Sequence, residues 1–580
     1  MAFLIILLAI IAIAAVLFVS WFMTMKANGK CPLCALKKIT IPRKITIDIT
    51  EDDYYDNGVA QTPPMGWSTW NTFRNHIDQD LILESAKAVV DSGLADAGYK
   101  YINLDDCWQS SMRDSDGKLQ GDLKTFSRGI PALIKDINDL GLKAGLYTSN
   151  GTLTCEDLPA SLGNEELDAK TFASWGCEFF KYDFCHSKII SGDCPAIEKI
   201  ELNSLNGNEF NSQLVLKPDD AMFTGRARVV KFGDIPSGKA IAYLNHGAGT
   251  ATFEVNELPE GDYALTLVFR KTFARRENYI QVIVNGKVYE VFFPTGKGFS
   301  DTGRVQTVVH IKSGTNTIKL QNPVVTVADS SYIQYRRMGN ALKNATKLWA
   351  EYTGQPEKPI VFSLCEWGTA MPWDWGAKAG NMWRTTHDIM ANWTSIMAIY
   401  NCNISHYEKS RPGGWNDPDM LEVGNGKLTE DENRAHFSLW CMMAAPLMLG
   451  NDVRKFVDGN NMPVDGNPTL KIVTNKRLIA IDQDPLGKSA KKIKPAPGGF
   501  DIIARPLANG DAALCILNKS KSTKSIKFDL INLAVDEYVA LARAGSYQIH
   551  DLWSDEMETG AVITETLPAH SVRVYRIKPL

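Results

Sequence analysis

The 580 residues carry no excess of positive charge: 62 Lys and Arg stand against 66 Asp and Glu, a formal net charge of −4. Nucleic-acid binding calls for a basic footprint, so that class of partner is excluded. No strand-like stretch runs into a glycine-rich phosphate loop, which removes support for a nucleotide-binding sheet. Cys31-Pro-Leu-Cys34 has the spacing of half a zinc or redox site. No second pair follows within zinc-ribbon distance, so it reads as a juxtamembrane accident. Charge is missing altogether from residues 3–22, an almost unbroken hydrocarbon run long enough to cross a bilayer as a helix. A basic residue after Met1 and a clear small-x-small cleavage site after the run are both absent. An uncleaved anchor over residues 1–25 is therefore preferred to a cleaved signal peptide. Lys26, Lys30, Lys37, Lys38, Arg43 and Lys44 flank its carboxyl side, which by the positive-inside rule leaves the body of the protein cytoplasmic.

What is present is ordinary in bulk and specific in detail. The length is too great for one core, and two to four domains are expected. Fourteen Trp and eighteen Tyr supply flat apolar faces, which suit sugar stacking and also suit cores. Residues 26–62, with Glu51, Asp52, Asp53 and Asp56, read as a solvated linker. Beyond it, strand and helix patterns alternate. Short apolar strands end at Trp67-Ser68-Thr69-Trp70, at Leu104-Asp105-Asp106-Cys107, at Tyr147-Thr148-Ser149 and at Lys181-Tyr182-Asp183. Between them, residues 82–97, 126–140 and 168–175 carry helical apolar stripes. Parallel α/β structure with polar residues gathered at strand carboxyl ends is the pattern of a (β/α)8 TIM barrel.

Over residues 197–334 the alternation gives way to short strands with turns between them, including the hairpin signal Asn285-Gly286. That stretch is expected to be an inserted β-sandwich or jelly roll. Residues 335–487 resume the barrel, with strand ends at Cys365-Glu366-Trp367, Trp383-Arg384 and Trp415-Asn416-Asp417. Residues 488–580 then read as a small antiparallel β domain, with Asn509-Gly510 as a turn. The first barrel segment is thus 63–196.

Asp105, Asp106, Lys181, Asp183, Glu366, Arg384 and Asp388 all fall at predicted strand carboxyl ends, so they converge on one pocket. Crowded carboxylates are costly unless cations compensate them, and Lys181 and Arg384 do so. Two carboxylates about 5–5.5 Å apart are what a retaining glycosidase needs, one as nucleophile and one as acid/base.

The order of motifs goes further. Pro-Pro-Met-Gly-Trp, Leu-Asp-Asp-Cys-Trp, Lys-Tyr-Asp-x-Cys, Ser-Leu-Cys-Glu-Trp-Gly, Trp-Arg-x-x-x-Asp and Gly-Gly-Trp-Asn-Asp-Pro-Asp-Met-Leu occur in sequence. In this the chain resembles glycoside hydrolase family 27, the α-galactosidase or melibiase family. The resemblance implies Asp183 as nucleophile and Asp388 as acid/base. It implies Asp105 and Asp106 on the O4 and O6 hydroxyls, Lys181 on the O3 and O4 side, Arg384 on the O2 and O3 side, and Trp70 against the apolar sugar face. Glu366 would stand near O2, favouring galactose over N-acetylgalactosamine, with Asp417 and Asp419 as supports. Cys155 and Cys185 match a disulfide bordering the family's pocket, while Cys107 lacks its usual partner because Asn75 stands there.

The function implied is an exo-acting retaining α-galactosidase, membrane-anchored, with an α-galactoside oligosaccharide or glycan as substrate and no cofactor or metal in the chemistry. An enzyme of this class usually works outside the cell, so the membrane side stays open. Alternatives are a β-L-arabinopyranosidase, an α-N-acetylgalactosaminidase or a catalytically silent sugar-binding protein. The insert resembles galactose-binding-like carbohydrate-binding modules, with Tyr243-Leu244-Asn245-His246-Gly247 and Asn322-Pro323 at ligand-loop positions, or it is an inert spacer. Some such modules hold structural calcium, for which no ligands are assigned.

Overall fold

The computed structural model describes residues 44–49, 54–205, 214–270, 277–294 and 302–580. The expected anchor at residues 1–25 and the Cys31/Cys34 pair lie outside them. Among the described residues no helix is long and apolar enough to cross a membrane.

Eight short strands make one parallel sheet. They are β1 (Met65–Ser68), β2 (Tyr101–Asn103), β3 (Lys143–Ser149), β4 (Phe179–Asp183), β5 (Val361–Cys365), β6 (Met382–Arg384), β7 (Trp415–Asp417) and β8 (Leu447–Leu449). Their order is β7-β6-β5-β4-β3-β2-β1-β8. Leu421, just beyond β7, closes the ring: its N–H donates to the Met448 carbonyl at 2.7 Å, and it bridges Leu449 in parallel. Together with the intervening helices this is the (β/α)8 barrel that the strand-end pattern implied.

The helices form where apolar periodicity and capping agree. Gln79–Asp91 buries Ile82, Ala86 and Val89, and Asp78 caps it by accepting the Leu81 N–H at 2.8 Å. A single helix expected over 82–97 is in fact two, because Gly93 takes a left-handed φ of +79° before Leu94–Ala97. Glu430–Met442 opens on a full capping box between Thr429 and Glu432. Inside the barrel, Phe179, Val361, Met382, Trp415 and Met448 fill the floor.

Residues 54–62 are not a solvated linker. Tyr55 is buried and donates its hydroxyl to the Gly339 carbonyl, while the Asn57 amide donates to the Ile360 carbonyl at 2.8 Å. Two adjacent tyrosines among acidic residues have no periodicity to announce this. The helix that the apolar pattern predicts over 338–352 is longer, spanning Val327–Thr353.

The chain divides into two compact units, one of them made of Arg43–Thr50 and Lys188–Gln334. This unit begins nine residues before the expected 197 and is tied at its own ends: Gln334 Nε2 donates to the Lys188 carbonyl at 2.5 Å, and the Ile190 N–H to Ser330 Oγ at 2.8 Å. Two antiparallel sheets enclose a core of Ile200, Leu202, Phe253, Leu265, Ile280 and Leu320. Asn285 and Gly286 form the expected tight hairpin, both at positive φ. The sheets also recruit Leu214–Leu216, Met222–Gly225, Arg228–Lys231 and Lys239–Ala242, which sequence reading missed. These strands are three or four residues long and half-exposed, too short for alternation to register.

In the other unit, residues after the barrel form a six-stranded antiparallel sheet and a two-stranded sheet, the latter pairing Lys524–Asp529 with Val562–Leu567. Leu514, Ile516, Ile549, Phe528 and Tyr575 pack between them.

Candidate active site

The strand ends bring a connected set of charges together. Asp105 lies just past β2, and Lys181 and Asp183 end β4 with their side chains on one face of the strand. Lys181 Nζ donates to Asp105 Oδ2 at 2.8 Å and rests 5.2 Å from the centre of the Tyr147 ring. Burial works against the Lys181 charge, but Asp105 and Asp183 outweigh it, so its pKa is held well above the usual lysine range. Asp105 Oδ1 accepts the Asp106 N–H at 3.0 Å. Asp106 accepts two backbone N–H groups, from Cys107 at 2.8 Å and from Glu156 at 3.0 Å. Despite those donors, burial pushes its carboxyl up to about 6.

Asp183 is buried. Tyr147 donates its hydroxyl to Oδ2 at 3.1 Å, and the Phe184 N–H donates to Oδ1 at 2.9 Å. Burial raises its pKa, and Lys181 pulls in the other direction. Tyr147 is itself kept neutral by burial, so it remains a donor. Sequence reading placed Tyr147 at a strand end and gave it no role. The overlooked signal was its place on β3, where parallel register sets it beside Lys181.

Cys155 and Cys185 are disulfide-bonded, with Cα atoms 5.1 Å apart, and Cys155 Sγ lies 3.7 Å from Asp183 Oδ2. Among the described residues these two and Asp183 are the one group of donors close enough to share an ion. With the sulfurs bonded to each other, no thiolate is left to ligate one. Cys107 is a free thiol.

On the far side of the sheet order, Arg384 ends β6 and is buried. Its Nη2 reaches Asp388 Oδ1 at 3.0 Å and Asp419 Oδ2 at 2.9 Å. Asp419 Oδ2 also accepts the Ile389 N–H at 2.7 Å, so this carboxylate fixes both the guanidinium and the backbone next to Asp388. Burial raises the Asp419 pKa against the pull of Arg384. Asp417, beside it, is pushed up to about 6 by burial. Asp388 differs from all of these: its side chain is 70% exposed, and Arg384 holds it below the usual carboxylate range against the effect of partial burial. A cavity of about 40 Å³ between the two halves is lined by Asn103, Asp105, Lys181, Arg384, Asp417 and Met448.

Two expected residues sit apart from this cluster. Trp70 is half-buried in the short helix Trp70–Phe73 after β1, with the Arg74 guanidinium 5.2 Å from its ring centre. Glu366 is wholly buried, and its Oε2 accepts the Ala370 N–H at 2.6 Å. The backbone turns sharply there, through left-handed φ values at Trp367 (58°) and Gly368 (68°), and the carboxylate closes that turn.

A buried carboxylate held by a phenol and an amide, together with an exposed carboxylate on an arginine, suits a glycosidase. The family model for alpha galactosidase A matches residues 62–208 and 313–484. The chain belongs to this family. Its carboxyl-terminal part matches the alpha galactosidase C-terminal beta sandwich domain over residues 497–577. Among curated relatives, the alpha-galactosidase of Coffea arabica is 31% identical over 537 residues, covering 92% of this chain and 98% of that one. The alpha-galactosidase of Cyamopsis tetragonoloba is 29% identical over 527 residues, covering 90% and 88%. The crystal structure of alpha-galactosidase I from Mortierella vinacea superposes with a TM-score of 0.60 at 28% identity, covering 90% of this chain and 98% of that one. As a member of the family, the protein is a glycoside hydrolase.

Proposed function

We propose that the protein hydrolyses terminal α-linked galactose with retention of configuration, Asp183 acting as nucleophile and Asp388 as acid/base. The observation that carries this is the opposed setting of the two carboxylates: Asp183 buried and aimed by Tyr147 and the Phe184 amide, Asp388 open to solvent on Arg384. A nucleophile must be fixed and desolvated, whereas a proton donor must reach a leaving group and later water. Asp183 attacks the anomeric carbon as Asp388 protonates the departing oxygen. Water, deprotonated by Asp388, then displaces Asp183 from the ester.

Asp105, Asp106 and Lys181 supply acceptors and a donor for the O3, O4 and O6 hydroxyls, Arg384 meets the O2 and O3 side, and Trp70 offers a face. Each carboxylate oxygen already bonded retains a second lone pair for a sugar hydroxyl. Arg384 has a further part. A hydroxyl that accepts from the guanidinium competes with Asp388 for its N–H groups and weakens the pairing that keeps Asp388 ionised, which readies Asp388 to carry a proton. Glu366 shapes the O2 wall from behind.

Residues 3–22 anchor the chain in a membrane, a reading supported by their length and lack of charge. Residues 188–334 bind glycan substrate and tether it to the barrel through the chain, which leaves for this unit just past the nucleophile strand. The deciding experiment incubates the full chain with an activated 5-fluorogalactosyl fluoride and maps the labelled peptide. An ester on Asp183 is expected. An ester elsewhere, or no turnover of nitrophenyl α-galactoside by the unlabelled enzyme, would overturn the assignment.

A further inference from the structure

A larger cavity lies at the other end of the barrel from the catalytic carboxylates. Its volume is about 210 Å³, and its lining includes Tyr54, Asp56, Gln61, Ala377, Arg411 and Gly413, all within one compact unit. Ala377 precedes β6, and Gly413 lies two residues before β7, so the cavity sits at the amino ends of these strands. Barrel chemistry gathers at the carboxyl ends, so the reaction does not account for this cavity. Its walls are built into the fold. The Tyr55 N–H donates to the Ala377 carbonyl at 2.9 Å, and the Ala60 carbonyl accepts both the Gly413 N–H at 2.9 Å and the Trp415 indole at 2.7 Å. Gly413 has a φ of +83°, and a Cβ there would stand 3.7 Å from Gln61 Nε2, in space that glycine leaves open.

Arg411 is the group in this wall that asks for a ligand. It is half-buried, and its guanidinium carbon lies 3.5 Å from the centre of the Tyr54 ring, a distance that only face-on stacking allows. Lys378 Nζ is 3.4 Å from the same centre, and like charge places it on the other face of the ring. Stacking fixes the Arg411 fork and leaves its N–H edge available to a planar anion. Among the described residues no carboxylate comes within ion-pair distance of Arg411. Asp56 and Gln61 are exposed on the same wall. Asp56 Oδ1 accepts the Gly58 N–H at 3.0 Å, which leaves its other oxygen, and Gln61 Nε2 reaches the Val59 carbonyl only at 3.5 Å. A carboxylate in the wall repels an anion without donors and favours one that carries hydroxyls.

We infer that this cavity binds a small carboxylate bearing hydroxyl groups, with its carboxylate on the Arg411 fork and its hydroxyls on Asp56 and Gln61. The site is non-catalytic and is independent of the roles given to Asp183 and Asp388. Two sources share this chemistry, a free hydroxy acid and a uronic acid unit of an acidic glycan. Inorganic phosphate, with more charge and fewer hydroxyls, suits Asp56 less.

Calorimetric titration of the full chain tests this, with galactose at saturation to occupy the catalytic pocket. Glucuronate, its methyl glycoside, tartrate and inorganic phosphate are compared at one ionic strength. Glucuronate or tartrate is expected to bind, and more tightly than phosphate. A methyl glycoside that binds as well as glucuronate assigns the site to a glycan unit, and one that does not assigns it to a free acid. Arg411→Gln should weaken binding at least about ten-fold, as loss of a charge-assisted pair does, with turnover of nitrophenyl α-galactoside unchanged. Gln61→Ala should weaken it about two-fold or more, and its exposed position gives a reading even if Arg411→Gln does not fold. No binding of either acid by wild type, an unchanged affinity in folded Arg411→Gln or in Gln61→Ala, or tighter binding of phosphate would overturn the inference.

Discussion

Asp183 closes a barrel strand and is 6% exposed, whereas Asp388 lies on a loop past β6 with a side chain 70% exposed. Asp183 accepts from neutral donors, a phenol and an amide, with Lys181 as the neighbouring cation. Asp388 is matched directly by a guanidinium that is itself anchored to a second carboxylate, Asp419. The first arrangement restricts geometry, because hydrogen bonds to fixed groups leave the carboxylate one orientation. The second adjusts charge, because an ion pair open to solvent responds to whatever binds the arginine. One residue type is therefore given two jobs by surroundings alone.

The sharpest way to break this comparison is with a small external nucleophile. Asp183→Gly should lose at least about 10⁴-fold in turnover, and azide should restore activity by entering the cavity left behind, yielding β-galactosyl azide. Asp388→Ala keeps the nucleophile, so azide should attack the galactosyl-enzyme and yield the α anomer. NMR of the products distinguishes the two, and identical anomers would mean that the roles are misassigned.

Substrate dependence in Asp388→Ala is the next largest effect. General acid catalysis contributes about 10²–10⁴-fold, and an aryl leaving group needs little of it. Hydrolysis of an α-galactosyl disaccharide should therefore fall far more than the galactosylation step with a dinitrophenyl galactoside. Equal losses would make Asp388 a structural residue.

Tyr147→Phe bears on Asp183 alone. It removes a donor to a charged group, which corresponds to about a ten-fold or greater loss in kcat. The sign of the pH effect follows from the same bond. A donor stabilises the carboxylate form, so its loss raises the Asp183 pKa further, and the acidic limb of kcat/KM moves to higher pH. A limb that stays in place would show that Tyr147 does not set the state of Asp183.

The smallest effect on turnover is expected from Cys155→Ser/Cys185→Ser. The bond closes a chain separation of 30 residues, so its loss should cost about 3–4 kcal/mol, read as a lower midpoint in denaturant. Activity should fall only a few-fold, through a looser wall beside Asp183, with the leaving-group dependence governed by Asp388 unchanged. A changed leaving-group dependence would tie the disulfide to the wrong carboxylate.

The two halves of the site were not equally legible from sequence. β4 was legible as a strand, since a run of apolar residues ends in Lys181 and Asp183, and the neighbouring strand ends made it a barrel strand rather than one closing on a surface ion pair. Asp388 has no such local signature. It lies outside any strand and was found through the motif that begins at Trp383-Arg384. Tyr147 was missed because a tyrosine closing an apolar strand looks the same whether its hydroxyl meets water or a carboxylate, and only the pairing of β3 with β4 separates these cases. The Glu366 bond to the Ala370 N–H was illegible for a related reason: left-handed backbone at Trp367, a non-glycine residue, is invisible to sequence patterns.

β4 and β5 are hydrogen-bonded along their whole length, from Val361 opposite Phe179 to Cys365 opposite Asp183, yet the unit Lys188–Gln334 is translated between them. At ordinary rates of synthesis, roughly 9–36 s pass before the partner of β4 exists. Until then the edge of β4 is an unpaired template of the kind that invites wrong pairings. The ties between Lys188 and Gln334 and between Ile190 and Ser330 change this problem. Once the inserted unit has folded, β5 returns across about 30 residues instead of a loop of about 177, an entropic difference of about 1.5 kcal/mol. A lesion that unfolds the insert while sparing the barrel would then appear in cells as a shortage of finished enzyme, with each surviving molecule turning over at its normal rate.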